Sequence, residues 1–205
     1  MAEENKTEKP KVIASMPQRP AGARGIVSCY PKPNGGKTYV CIFDEFVDAP
    51  DNYVELFDVL YSAKKEDTIK LLFYSCGGFV DTGIMVLHAM HNCQAEIYTV
   101  TYGLCASIAA VMWCGCKGVK RYAGPNATIM FHMPSGGNFG KTADLEEESH
   151  QVQEYFYDLL KEITDGILTD EQLKDIVMNR KDTYIPEAKL SKECCGRLEE
   201  EERDK

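Results

Sequence analysis

Residues Thr68 to Cys93 read "TIKLLFYSCGGFVDTGIMVLHAMHNC". The first eight form a β-rich apolar run, the length of a buried strand, and Cys76-Gly77-Gly78 stops it. Helical spacing follows, with Ile84, Leu87 and either Val86 or Met90 on one side. A strand, a tight turn and a helix make half of a crossover unit, and the same grammar continues outward. Upstream, "YPKPNGGK" (Tyr30 to Lys37) signals a turn before the strand "TYVCIFDEF", and "DNYVELFDVLYSAKK" reads as a helix capped by Asp51. Downstream, the strand "AEIYTVTYG" precedes "SIAAVMWCGC", a helix apolar nearly all round and therefore buried. "TIMFHM" is a further strand. Thr142 to Ile163 is a long helix, polar in its first half and striped with Tyr155, Phe156, Leu159, Leu160 and Ile163 in its second. "TDEQLKDIVMN" is a last helix, capped by Thr169. Strands alternating with helices require crossovers, so the expected class is α/β with a mostly parallel sheet.

Composition bounds the function. The net charge of −9 gives a field of the wrong sign for nucleic acid. No uninterrupted apolar run is long enough for a membrane span, and the polar start of the chain lacks the apolar core of a signal peptide. Nine cysteines without such a signal suit reduced thiols in a cytoplasmic setting. Cys114, Cys116, Cys194 and Cys195 have C-x-C and C-C spacings rather than the C-x2-C pairs of zinc sites, so small buried hydrophobes are the expected role and no metal or other cofactor is expected. Residues 1–25 read as a flexible arm, 26–198 as one domain, and 199–205 as an acidic tail.

Chemistry gathers at the strand ends. "YSCGG" and "YGLCAS" each lead into a helix start, where backbone N–H groups lack partners. Gly77 and Gly78 let an amide approach a carbonyl without a Cβ in the way, and the amide of Ile108 offers a second donor. Ser107 has a hydroxyl among apolar neighbours. His132 ends the strand "TIMFHM" downstream, and Asp182 lies in "RKDTYIP". A serine nucleophile needs a base, and the base needs an orienting acid. Each residue also has a plain reading: Ser107 as a helix cap, His132 as a structural histidine like His88, His91 and His150, Asp182 as a surface carboxylate. His88 and His91 stand at i, i+3 spacing, but the sequence offers no third ligand. The serine is not inside a GxSxG motif.

Taken together, "YSCGGFVDTGIMVLHAM", "YGLCASIAAVMWCGCKGVKRYAGPNATIMFHMPSGG" and "DTYIPEA" resemble the proteolytic subunit of the Clp protease (ClpP, in the ClpP/crotonase-like superfamily), in order from about Thr38 to Leu198. The resemblance implies repeated β-β-α units, a mostly parallel sheet and a protruding long helix. It implies an ATP-partner-dependent serine endopeptidase with Ser107 as nucleophile, His132 as base, Asp182 as acid, and Gly78 and Ile108 as oxyanion donors. Substrate would bind as an added strand along Gly77, Phe79, Val80, Met133, Pro134, Ser135 and Gly136. It further implies two stacked heptameric rings, a tetradecamer, joined through "SGGNFGK" and the helix of Thr142 to Ile163. An AAA+ unfoldase would feed them, since this chain has no Walker A pattern. Departures from the family pattern are Cys76 for proline, Cys105 two residues before the serine, Ile108 for methionine, Lys181 for arginine and Thr183 for a charged residue.

Three alternatives accompany this reading. Another serine peptidase of the same broad fold, such as a signal-peptide peptidase, would use a lysine base, with Lys117 and Lys120 as candidates. A crotonase-type acyl-CoA enzyme would share the fold and the amides. A catalytically silent ring subunit would act as a scaffold.

Overall fold

One long strand with different partners along its length organises the sheet. The computed structural model describes residues 27–33, 35–44, 50–115, 118–135, 142–164 and 166–190, with the side chains of 50, 51 and 142–148 excepted. The strands are β1 (Val27–Pro31), β2 (Lys37–Phe43), β3 (Thr68–Ser75), β4 (Glu96–Ala106), β5 (Lys120–Ala123), β6 (Thr128–Phe131) and β7 (Thr183–Pro186). The helices are α1 (Val54–Ser62), α2 (Val80–Asn92), α3 (Ile108–Cys114), α4 (Thr142–Ile163) and α5 (Asp170–Val177). The sheet order is β1-β2-β3-β4-β6-β7, with β5 also paired to β4. The long strand is β4: its residues Tyr98 to Thr101 pair with β5, and Leu104 to Ala106 pair with β6. All pairings from β2 to β6 are parallel, and only the outer strands β1 and β7 run antiparallel to their neighbours. The α/β class expected from the sequence is the one observed.

The core lies on one face of this sheet. Phe43, Ile69, Leu71, Phe73, Ile97, Cys105, Ile129 and Phe131 alternate inward along their strands and are buried, as period-two strands under helices should be. Against them sits α3, with every residue buried. Its Trp113 is fully buried, donates its indole N–H to the Tyr122 carbonyl at 3.0 Å, and accepts the Thr99 hydroxyl on its own carbonyl at 2.6 Å. The opposite face carries Ile42, Tyr74, Tyr102, Leu104 and Tyr184, all exposed.

Several local expectations are revised. Asp51 does not stand at the helix cap: a 3-10 turn over Pro50–Tyr53 leads into α1, with buried Tyr53 at the cap position. β1, β5 and β7 are additions to the strands expected from the sequence; all are short, of four or five residues, too few to show an alternation. On α4, Phe156 and Leu160 are buried and Leu159 and Ile163 are half-buried against the core, while Tyr155 is exposed and meets Phe156 edge-on. Thr169 does cap α5, in a reciprocal box with Gln172. The arm, the acidic tail and most of "SGGNFGK" lie outside the described residues.

Asp67 ties the start of β2 to the start of β3. Its carboxylate accepts the Lys37 amide at 2.7 Å and the Lys64 amide at 2.9 Å. These bonds, the Lys64 one foremost, hold its pKa below the usual carboxylate range despite burial. A depressed carboxylate contributes stability above its unfolded pKa and loses it as pH falls through the folded value. Wild-type stability measured by urea unfolding is therefore expected to fall on acidification below about pH 4. Asp67→Ala is expected to lose about 2 kcal/mol at pH 7, because two amides are left without a buried acceptor, and to flatten that acid dependence.

Candidate active site

Ser107 is the single residue between β4 and α3. Its backbone sits at φ 59° and ψ -132°. An L-residue enters that region only when its surroundings force it. Three hydrogen bonds do the forcing. Its N–H donates to the Met130 carbonyl of β6 at 2.9 Å, and its carbonyl accepts the amides of Ala110 at 3.0 Å and Val111 at 3.2 Å. The side chain does not cap the helix. The capping role open in the sequence is therefore not the one Ser107 plays here. The strand-to-helix junction has the form of a nucleophile elbow although the GxSxG motif is absent. Cys105 and Ala109, both buried, stand where that motif has glycines.

The glycine turn closes on this serine. A Cβ at Gly77 would lie 2.7 Å from Ser107 Cβ and 2.9 Å from the Ala106 carbonyl oxygen, so only a glycine fits. Gly77 has φ 98° and Gly78 φ 151°. Ile108 is buried and packs under Gly83 of α2, where a Cβ would collide with Ile108 Cγ1.

His132 is the first residue after β6. It is half-buried and lines, with Ser107, a narrow cavity whose apolar wall includes Val80, Val111, Phe156 and Leu160. The free volume there is about 10 Å³, room for one water at most. Asp182 is exposed and directly precedes β7. Since Thr183 pairs with Phe131, the antiparallel register carried one step further sets Asp182 opposite His132. The strand order β4-β6-β7 thus puts Ser107, His132 and Asp182 at the same end of three neighbouring strands. Among the described residues no hydrogen bond links these three side chains; such bonds are often long before substrate binds. The bend before Asp182 is fastened by Asp175, which accepts the Lys181 ammonium at 2.7 Å and the Asn179 amide at 2.8 Å, and whose pKa is lowered first by that lysine.

Of the other expected contact residues, Phe79 and Ser135 are exposed, while Val80, Met133 and Pro134 are half-buried; Gly136 lies outside the described residues. Lys120, a candidate base in one alternative, is turned to Glu96 and Tyr98 and away from Ser107's strand end, and Lys117 lies outside the described residues. Larger hollows, of about 520 Å³ between α4 and α5 and about 720 Å³ beside His88 and His91, do not include Ser107. Among the described residues no three His, Cys, Asp or Glu side chains are grouped to hold a metal ion. Cys116, Cys194 and Cys195 lie outside those residues. No helix among them is long and apolar enough to cross a membrane. The contact of Gly83 with Ile108 and the place of Phe156 and Leu160 beside Ser107 were not marked by the sequence, because they depend on contacts between distant segments.

A mostly parallel α/β sheet with a strained serine at a strand-to-helix junction, faced by a glycine turn and flanked by a histidine, defines a hydrolase-like site. The sequence profile of the Clp protease family matches residues 42–184, a span that begins in β2, ends in β7 and contains Ser107, His132 and Asp182. The chain belongs to the Clp protease family and is a ClpP-type protein.

Gly77→Ala is expected to destabilise the fold by about 2 kcal/mol or more, through its positive φ and its clash with the Ser107 junction. Thermal unfolding of the variant beside wild type checks this.

Proposed function

We propose that the chain is a serine endopeptidase, its peptidase domain spanning 26–198, that cleaves unfolded polypeptide inside a chamber built from copies of itself. The observation that supports this reading is the strand order: Ser107 follows β4, His132 follows β6 and Asp182 precedes β7, three neighbouring strands, and Gly77 abuts Ser107. Substrate lies extended beside Gly77, Phe79 and Val80 on one side and Met133, Pro134, Ser135 and Gly136 on the other, held by backbone bonds that are largely blind to sequence. His132 takes the Ser107 proton as Oγ attacks the carbonyl carbon. The oxyanion meets the amides of Gly78 and Ile108. His132 then passes the proton to the leaving amine, and the acyl-enzyme forms as the C–N bond breaks. Water, deprotonated by the same imidazole, attacks the ester and regenerates Ser107. Asp182 holds the imidazole in orientation and balances its charge. The apolar wall of Val80, Val111, Phe156 and Leu160 would take an apolar side chain of the substrate once it opens.

Self-association has support in the uncovered sheet face. Ile42 is 65%, Tyr74 70% and Tyr102 60% exposed. Large side chains exposed together on one sheet face suit burial against another copy. Stacked heptameric rings in a cytoplasmic setting, served by an AAA+ unfoldase, complete the reading.

Labelling by a fluorophosphonate is expected for wild type and absent for Ser107→Ala. His132→Ala is expected to lower peptide cleavage about 10⁴-fold with assembly intact, and Asp182→Asn to lower it by a comparable factor. An assembled wild type that never labels would favour the silent ring subunit. Tyr102→Glu is expected to shift native mass from the oligomer toward the monomer; an unchanged mass would remove this face from the interface.

A further inference from the structure

Ser75 closes β3 and is 3% exposed. Its hydroxyl oxygen accepts the Gly77 amide at 3.0 Å, a side chain standing in for a backbone turn bond. The β3–β4 register slips between Phe73 and Ser75, so the strand is already bending where this bond forms. Cys76, between the two partners, has no ring to fix the turn. Gly77 is buried and abuts Ser107, which makes any rotation of its peptide planes visible at the serine. The next amide in the chain is that of Gly78.

We propose that Ser75 is a positioning residue: by holding the Gly77 amide, its hydroxyl fixes the height and tilt at which the Gly78 amide faces Ser107. This rests on the serine-peptidase reading above. Ser75 acts only when negative charge develops on the substrate oxygen, so its loss lowers kcat and leaves KM nearly unchanged.

The test compares wild type, Ser75→Ala and Ser75→Cys, the last preserving shape with a poor acceptor. Three readouts are taken: peptide kcat and KM, the fluorophosphonate labelling rate, and affinity for a peptide boronate, which forms a tetrahedral adduct, against that for the matching product peptide. Both variants are expected to lose at least tenfold in kcat, labelling rate and boronate affinity, with KM and product affinity within about twofold. Labelling wild type with both variants equal to it would overturn the role of Ser75 alone, as would equal losses in boronate and product affinity. If Ser75→Ala fails to fold, Ser75→Cys decides on the same readouts. An unlabelled, assembled wild type would overturn the peptidase reading and this inference with it.

Discussion

The strained backbone of Ser107 is the constraint around which the rest of the molecule is arranged. Such a conformation costs about 1–3 kcal/mol and survives only where neighbours over-determine it. Here β6 holds the serine amide, the first turn of α3 holds its carbonyl, and Gly77 lies directly against its side chain. The strain is offset by the burial of α3, all of whose residues are withdrawn from water, at about 1.5–3 kcal/mol for each large side chain. Because β4 ends at Ala106 and is paired to β6 right up to that residue, the sheet aims the serine directly and no flexible loop intervenes. The three strand ends therefore act as a single rigid mount.

Much of this was legible in the chain. "TIKLLFYS" became β3 residue for residue, the limits of α4 matched, and Thr169 capped α5 as expected. Long runs of one periodicity declare themselves because burial is cooperative along them. β1, β5 and β7 did not, since runs of four or five residues are too short for an alternation to be read. Asp51 looked like a cap because sequence cannot distinguish a helix entered directly from one entered through a 3-10 turn. At the site, the residue types and their order pointed to Ser107, His132 and Asp182, yet a chain read in one dimension could not separate a capping serine from an elbow. That distinction lies in φ, which depends on Met130 and Gly77, partners from distant parts of the chain.

The cysteines follow the same logic of burial. Cys41, Cys105 and Cys114 sit in the core as small hydrophobes, and burial pushes the Cys41 thiol up to about 12 and Cys105 well above its ordinary value. Thiolate, the reactive form, is thereby suppressed in the core. Cys105 can thus lie two residues from Ser107 without competing for an electrophile. Cys76 is different, being exposed beside the glycine turn.

The chain has one tryptophan, and it is Trp113, on the helix that Ser107 opens. Its indole is wholly dry and bonded to a strand carbonyl, so its emission originates from the interior, near the far end of that helix. Intrinsic fluorescence excited at the indole band is in this molecule a single-site optical gauge. A red shift signals water reaching α3, whatever happens at the surface of the sheet.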